Sequence, residues 1–126
     1  MTPTEFIREY EAAGGTRNLD ALLALIADDA VFLFSNQTSH VGKDAIRKAI
    51  QANFDTIEAE TYSISELRWP AATDALAICV YEFDWCGEIA GKPASGSGRG
   101  TTAIRRDDGA WRVVHEHLSR GRLRSE

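Results

Sequence analysis

The sequence has 126 residues, 44% of them hydrophobic, and a formal charge of −5. That length can bury a core without disulfide or metal support, and the charge excludes the basic footprint of a protein that tracks nucleic-acid phosphates. No stretch is apolar enough to span a membrane, and the opening Thr2-Pro3-Thr4-Glu5 lacks the basic-then-apolar order of a secretory leader.

The expectation is one cytoplasmic domain over residues 1–126, with no nucleic acid and no membrane among its partners. Thr2, Pro3 and Glu5 predict a capped helix start, and Phe6, Tyr10 and Ala13 share one face of that helix. Gly14-Gly15 ends it. Asn18 caps a second helix carrying Leu19, Leu22, Leu23 and Ile26, with Asp28-Asp29 as a solvated stop. Ala30–Asn36 reads as a short strand and Gln37–Gly42 as a polar connection. From Lys43 to Glu58 the spacing of Ile46, Ile50, Phe54 and Ile57 predicts the clearest helix of the chain.

Strands follow. Thr61–Trp69 is the first, closed by Pro70, with a slip in its alternation near Glu66 that suggests a bulge. Ala75–Trp85 is the second. Gly87–Ser97, with four Gly and Pro residues, reads as a mobile hairpin loop. Asp108-Gly109 joins two long closing strands, because glycine supplies the positive φ of a tight turn. Arg120, Arg122 and Arg124 read as a solvated tail. Cys79 and Cys86 lie in one predicted strand, about 23 Å apart at ~3.3 Å per residue, too far for a disulfide. Both are expected as free thiols, in keeping with a reducing compartment.

Helices first and strands last imply an α+β fold, with three N-terminal helices on the concave side of a curved antiparallel sheet. Such a cone encloses a pocket. Two stretches carry a family resemblance: Tyr10 to Phe34 continuing into Val41-Gly42-Lys43-Asp44-Ala45-Ile46, and the closing Asp108-Gly109-Ala110-Trp111-Arg112-Val113-Val114-His115-Glu116-His117-Leu118-Ser119. The chain resembles the SnoaL-like, or nuclear transport factor 2-like, superfamily. The first stretch is similar to ketosteroid isomerases, the second to the association domain of calcium/calmodulin-dependent kinase II. The resemblance implies that Tyr10 occupies the place of the isomerases' oxyanion-binding tyrosine. Their catalytic aspartate falls at Phe34, which cannot take a proton, and their second acid near Thr101 or Thr102. The association domain's pocket arginines fall near Glu82, Thr102 and Leu118.

The resemblance also implies that Glu82 faces the pocket, with Val114, Glu116 and Leu118 facing in from the last strand. Asp84 shares the strand face of Glu82. Acids gathered in an apolar cone raise one another's pKa and become usable as acid or base. The alternative is that they stay hydrated at the rim or pair with Arg68, Arg99 or Arg112. Tyr10 is either a packed core residue or a ligand contact. Phe34 and Phe54 are core residues or pocket walls, and Thr102 is a polar contact. Trp111, His115 and His117 alternate on one face, opposite Glu116. With His40, the two histidines could chelate zinc, but a lone His-x-His is a weak motif, and the resemblance implies a convex face that meets a second copy of the chain. The expectation is therefore a homodimer with no metal and no bound cofactor. It would hold a small apolar or partly polar ligand and perform isomerisation, dehydration or cyclisation by proton transfer through Glu82 or Glu116. The alternative is a non-catalytic binding or oligomerisation module.

Overall fold

A computed structural model describes residues 1–122 and Arg124. The elements in chain order are α1 (Pro3–Gly15), α2 (Leu19–Leu23), β1 (Ile26–Leu33), β2 (Ser39–Val41), α3 (Lys43–Thr56), β3 (Glu58–Ala72), β4 (Leu76–Ile89), β5 (Lys92–Asp107) and β6 (Ala110–Arg120). Both predicted helix caps form. The Thr2 hydroxyl accepts the Glu5 N–H at 3.1 Å while the Glu5 carboxylate accepts the Thr2 N–H at 3.1 Å. The Asn18 side chain accepts the Ala21 N–H at 3.1 Å.

The second helix is shorter than expected. Ile26 opens a strand, because β1 lies parallel to β6 with Ile26 opposite Val113, and the Val113 N–H donates to the Leu25 carbonyl at 2.8 Å. Asp28 and Asp29 thus lie exposed within β1, paired with Lys43 at 3.3 Å and Arg105 at 3.0 Å. The expected polar connection before α3 holds β2, antiparallel to β1.

Six strands in the order β2-β1-β6-β5-β4-β3 make a curved, unclosed sheet. All neighbours are antiparallel except β1 and β6. The α+β cone is as expected from the sequence. So is the bulge in β3: Glu66 takes φ 54° where the register slips between Ser65 and Arg68. The loop expected at Gly87–Ser97 is instead ladder. Pairing of β4 with β5 runs out to Ile89–Lys92 and closes through Ala90 (φ 53°) and Gly91 (φ 78°). Asp108 (φ 50°) and Gly109 (φ 80°) close the last hairpin in the same way. Two consecutive positive φ angles match the right-handed twist of the flanking strands.

Two local features decide which side chains enter the cone. On β4 the buried face is Ala77, Cys79, Tyr81 and Phe83, and it turns towards the helices. Its rings lie over glycines of β5 placed directly opposite: Tyr81 over Gly100, Phe83 over Gly98 and Trp85 over Gly96. A β-carbon on any of these glycines would approach the facing ring to 2.5 Å. On β6 the register slips, with Val113 opposite Ile104 and His115 opposite Ala103. Val114 is the extra residue of that bulge, so Trp111 and Val113 point to the same side as Glu116 and Leu118.

Candidate functional site

A cavity of about 330 Å³ opens between the helices and the inner sheet face. Its walls are apolar and aromatic, with Leu22, Phe34, Ile50, Phe54, Phe83 and Trp85 among them. Glu116 stands at its floor, only 7% exposed. Three elements converge on that carboxyl. The Tyr10 hydroxyl, from α1, donates to Glu116 Oε1 at 3.1 Å. The Thr102 hydroxyl, directly opposite on β5, donates to the same oxygen at 3.3 Å. The Tyr81 hydroxyl lies 2.8 Å from Thr102 Oγ1. Thr102 has one hydroxyl proton and gives it to Glu116, so Tyr81 is the donor to Thr102.

Both donors fall on Oε1. Oε2 accepts no hydrogen bond from a described residue, and among those residues no sealed side-chain oxygen lacks a partner. Oε2 is therefore the oxygen that opens to the cavity. Burial raises the Glu116 pKa from 4.5 to about 7, while the Tyr10, Thr102 and Tyr81 hydroxyls pull the other way and lose. The same burial, with the Glu116 charge beside it, pushes the Tyr10 and Tyr81 hydroxyls well above their usual range, so both stay protonated donors. Near neutral pH the floor thus presents either a lone pair or an O–H at Oε2.

Tyr10, Phe34, Phe54, Glu116 and Leu118 all line the cavity, and Thr102 touches it through Glu116. Tyr10 and Thr102, expected as ligand contacts, are spent on the carboxyl. Glu82 and Asp84 are on the other side of the sheet, which corrects the expectation that Glu82 faces the pocket. The cause is the inward turn of the Tyr81–Phe83 face, which sends the alternate residues out. There Glu82 and Asp84 pair with Arg122, at 3.7 Å for Glu82. Arg122 stays exposed, as expected of the tail, but pairs at the surface with these acids, and it is none of the three arginines expected. Val114 occupies the β6 bulge, half-buried and away from the cavity lining. The bulge also takes Trp111 off the outer face. It is 4% exposed, donates from its indole N–H to the Met1 carbonyl at 3.2 Å, and stacks under Arg106.

His115 and His117 do remain on the outer side. His115 Nδ1 is 2.8 Å from the Val31 carbonyl. His40 is elsewhere, its ring 4.7 Å from that of Phe34. Among the described residues no three His, Cys, Asp or Glu side chains gather as a metal site. Cys79 is buried, its thiol pushed up to about 12 by burial, and Cys86 is exposed; both are free. No helix among the described residues is long and apolar enough to cross a membrane. Sequence reasoning missed Tyr81, Tyr62 and Glu60. The signal for Tyr81 was present: large rings at 81, 83 and 85 pair in spacing with glycines at 96, 98 and 100.

The sequence profile of the SnoaL-like domain matches residues 4–122. The chain belongs to the SnoaL-like domain family. No curated protein sequence matches it. Solved structures share the SnoaL-like fold. A nuclear transport factor 2-like superfamily protein from Salmonella enterica superposes with a TM-score of 0.85 at 15% identity, covering 97% of this chain and 90% of the other. A ketosteroid isomerase-like protein from Erwinia carotovora atroseptica gives 0.77 at 18%, over 95% and 94%. A nuclear transport factor 2-like protein of unknown function from Pseudomonas putida gives 0.79 at 24%, over 92% and 82%. At these identities the likeness to solved structures is one of fold, and the function of this SnoaL-like domain has to be argued from its own pocket.

Proposed function

We propose that the chain binds a small, largely apolar molecule in the cone and moves a proton on it with Glu116. The observation that carries this reading is the position of Glu116 Oε2: the oxygen of a buried side chain that accepts no hydrogen bond from a described residue and opens onto an aromatic-walled cavity. A carboxyl whose pKa is about 7 is both a competent base and a competent acid at neutral pH. In its ionised form Oε2 removes a proton from carbon next to a ligand carbonyl. The new O–H then returns the proton to a neighbouring carbon or to the oxygen. Tyr10 and Thr102 act as positioning residues, holding Oε1 and aiming Oε2. Isomerisation, dehydration and cyclisation all use this step.

Proton exchange tests the step without knowledge of the substrate. A panel of aryl and cyclic ketones is incubated with the protein in D2O, and the α-proton signals are followed by NMR. Faster loss with wild type than with Glu116→Gln is expected. Equal rates, with ligand-induced shifts of the Trp85 indole signal in both proteins, would leave a non-catalytic binding module.

The same reading pairs two copies of the chain through the outer sheet face. Leu76 stays 45% exposed there, in line with half-buried Ile78 and Val80. His115 and His117 remain candidates for that interface and Trp111 does not. Light scattering at high concentration should give the mass of two chains; a single-chain mass would remove the dimer.

A further inference from the structure

The charged groups of the cavity are unevenly matched. Glu11, Glu60 and Glu116 line it, against one cation, Arg120, at the exposed end of β6. Glu11 is engaged, paired with Arg8 at 3.1 Å and accepting the Ile64 N–H at 2.6 Å. Glu60 is not. It stands two residues before Tyr62 in β3, where Ala59 takes φ 53° and the register slips between Glu58 and Thr61. Ordinary alternation puts Glu60 on the inner side with Tyr62 and Ile64. Half-buried, it accepts no hydrogen bond from a described residue. Burial raises its pKa, and the Arg17 charge opposes this without contact. The Arg17 guanidinium is committed to the carbonyls of Ile57 and Phe54 and stacks on the Phe54 ring at 5.1 Å.

Two carboxylates, Glu60 towards the mouth and Glu116 at the floor, therefore keep acceptor capacity facing one space. Once ionised, both are acceptor-only, so what completes them in that form must donate. The surface between them is aromatic, and ring faces attract cations. Resting on the reading of this cavity as a ligand site, we infer that its ligand is a flat apolar molecule bearing a protonated amine, the ammonium lying between Glu60 and the neighbouring rings and the body reaching down to Glu116. Glu60 stands two residues, ~6.6 Å, further along the strand than Tyr62, whose ring stacks on that of Phe83 in the cavity wall. A carboxylate ligand fits worse. It would face two acceptors and gain only an exposed guanidinium, whose field solvent screens.

Three probes of one shape test this: tryptamine, tryptophol and indole-3-acetate, which differ in an ammonium, a hydroxyl and a carboxylate. Each is titrated at pH 7.5 into wild type, Glu60→Gln and Glu116→Gln, and Kd is read from NMR shifts of the Trp85 indole. The expected result is tryptamine binding about tenfold more tightly than indole-3-acetate, with Glu60→Gln losing most of that preference and still binding tryptophol. Equal affinities, or a preference for indole-3-acetate, would overturn the amine inference and leave the pocket standing. A preference for tryptamine that survives in Glu60→Gln would overturn the assignment to Glu60. No shift with any probe would remove the inference together with the pocket reading beneath it.

Discussion

Tyr10 and Thr102 both give their hydroxyl protons to one oxygen of Glu116, and each bond favours the ionised form. Removing one must move the carboxyl further towards neutrality. Tyr10→Phe is therefore expected to raise the Glu116 midpoint above its value near 7, read by carbon-13 NMR titration of the side-chain carboxyl. An unchanged midpoint would mean the Tyr10 bond is not made in solution. At this scale the sequence was partly legible. Helical spacing put Tyr10 on the buried face, and the family resemblance pointed Glu116 inward. It did not reveal that the two would bond across 106 positions, since no local pattern encodes a contact between α1 and β6.

Gly96, Gly98 and Gly100 form a lane on β5 along which the rings of β4 lie flat. A β-carbon at position 98 would meet the Ser119 carbonyl at 2.2 Å and the Phe83 ring at 2.5 Å, and backbone cannot swing aside. Gly98→Ala is expected to cost about 2 kcal/mol in urea unfolding. Gly14→Ala, in α1 with nothing within 4 Å, should stabilise by roughly 0.5–1 kcal/mol as helix propensity predicts. A neutral Gly98→Ala would show the lane to be loosely packed. The faces of β4 and β6 were the least legible part of the sequence. Residues 76, 78 and 80 are as apolar as 77 and 79, so alternation alone cannot choose a side. The Val114 bulge leaves no mark in composition, yet it reverses every side chain before it relative to those after it. The length of β4 and β5 was hidden in the same way, because alanine at position 90 is not a usual turn residue.

The molecule as a whole carries the cost of its floor carboxyl. The folded state holds the Glu116 proton up to about pH 7, whereas the unfolded chain releases it near 4.5. The unfolded state thus binds fewer protons between those values, and stability falls as pH rises through that window, by on the order of 3 kcal/mol. Asp29 and Asp107, held low by Arg105, act in the opposite sense but only below the usual carboxylate range, so they leave this window alone. Urea unfolding at pH 5 and pH 8 should show wild type losing stability and Glu116→Gln losing much less, its remaining loss coming from Glu60, whose pKa burial also raises. A wild type equally stable at both would place the carboxyl in water. Fold class, strand count after α3 and both helix caps could be read from the chain, because each rests on local pattern and turn chemistry.

The strand order has a consequence for how the protein is made. β6 sits between β1 and β5, so the first two strands made join β3, β4 and β5 only through the last. During synthesis, β1 and β2 have no place in the larger sheet until residues 110–120 have left the ribosome. The pocket floor arrives with that same segment. A nascent chain stopped short of Trp111 would hold its hairpin array and helical cap together only through contacts such as that of Glu11 with the Ile64 N–H, and would lack the pocket floor.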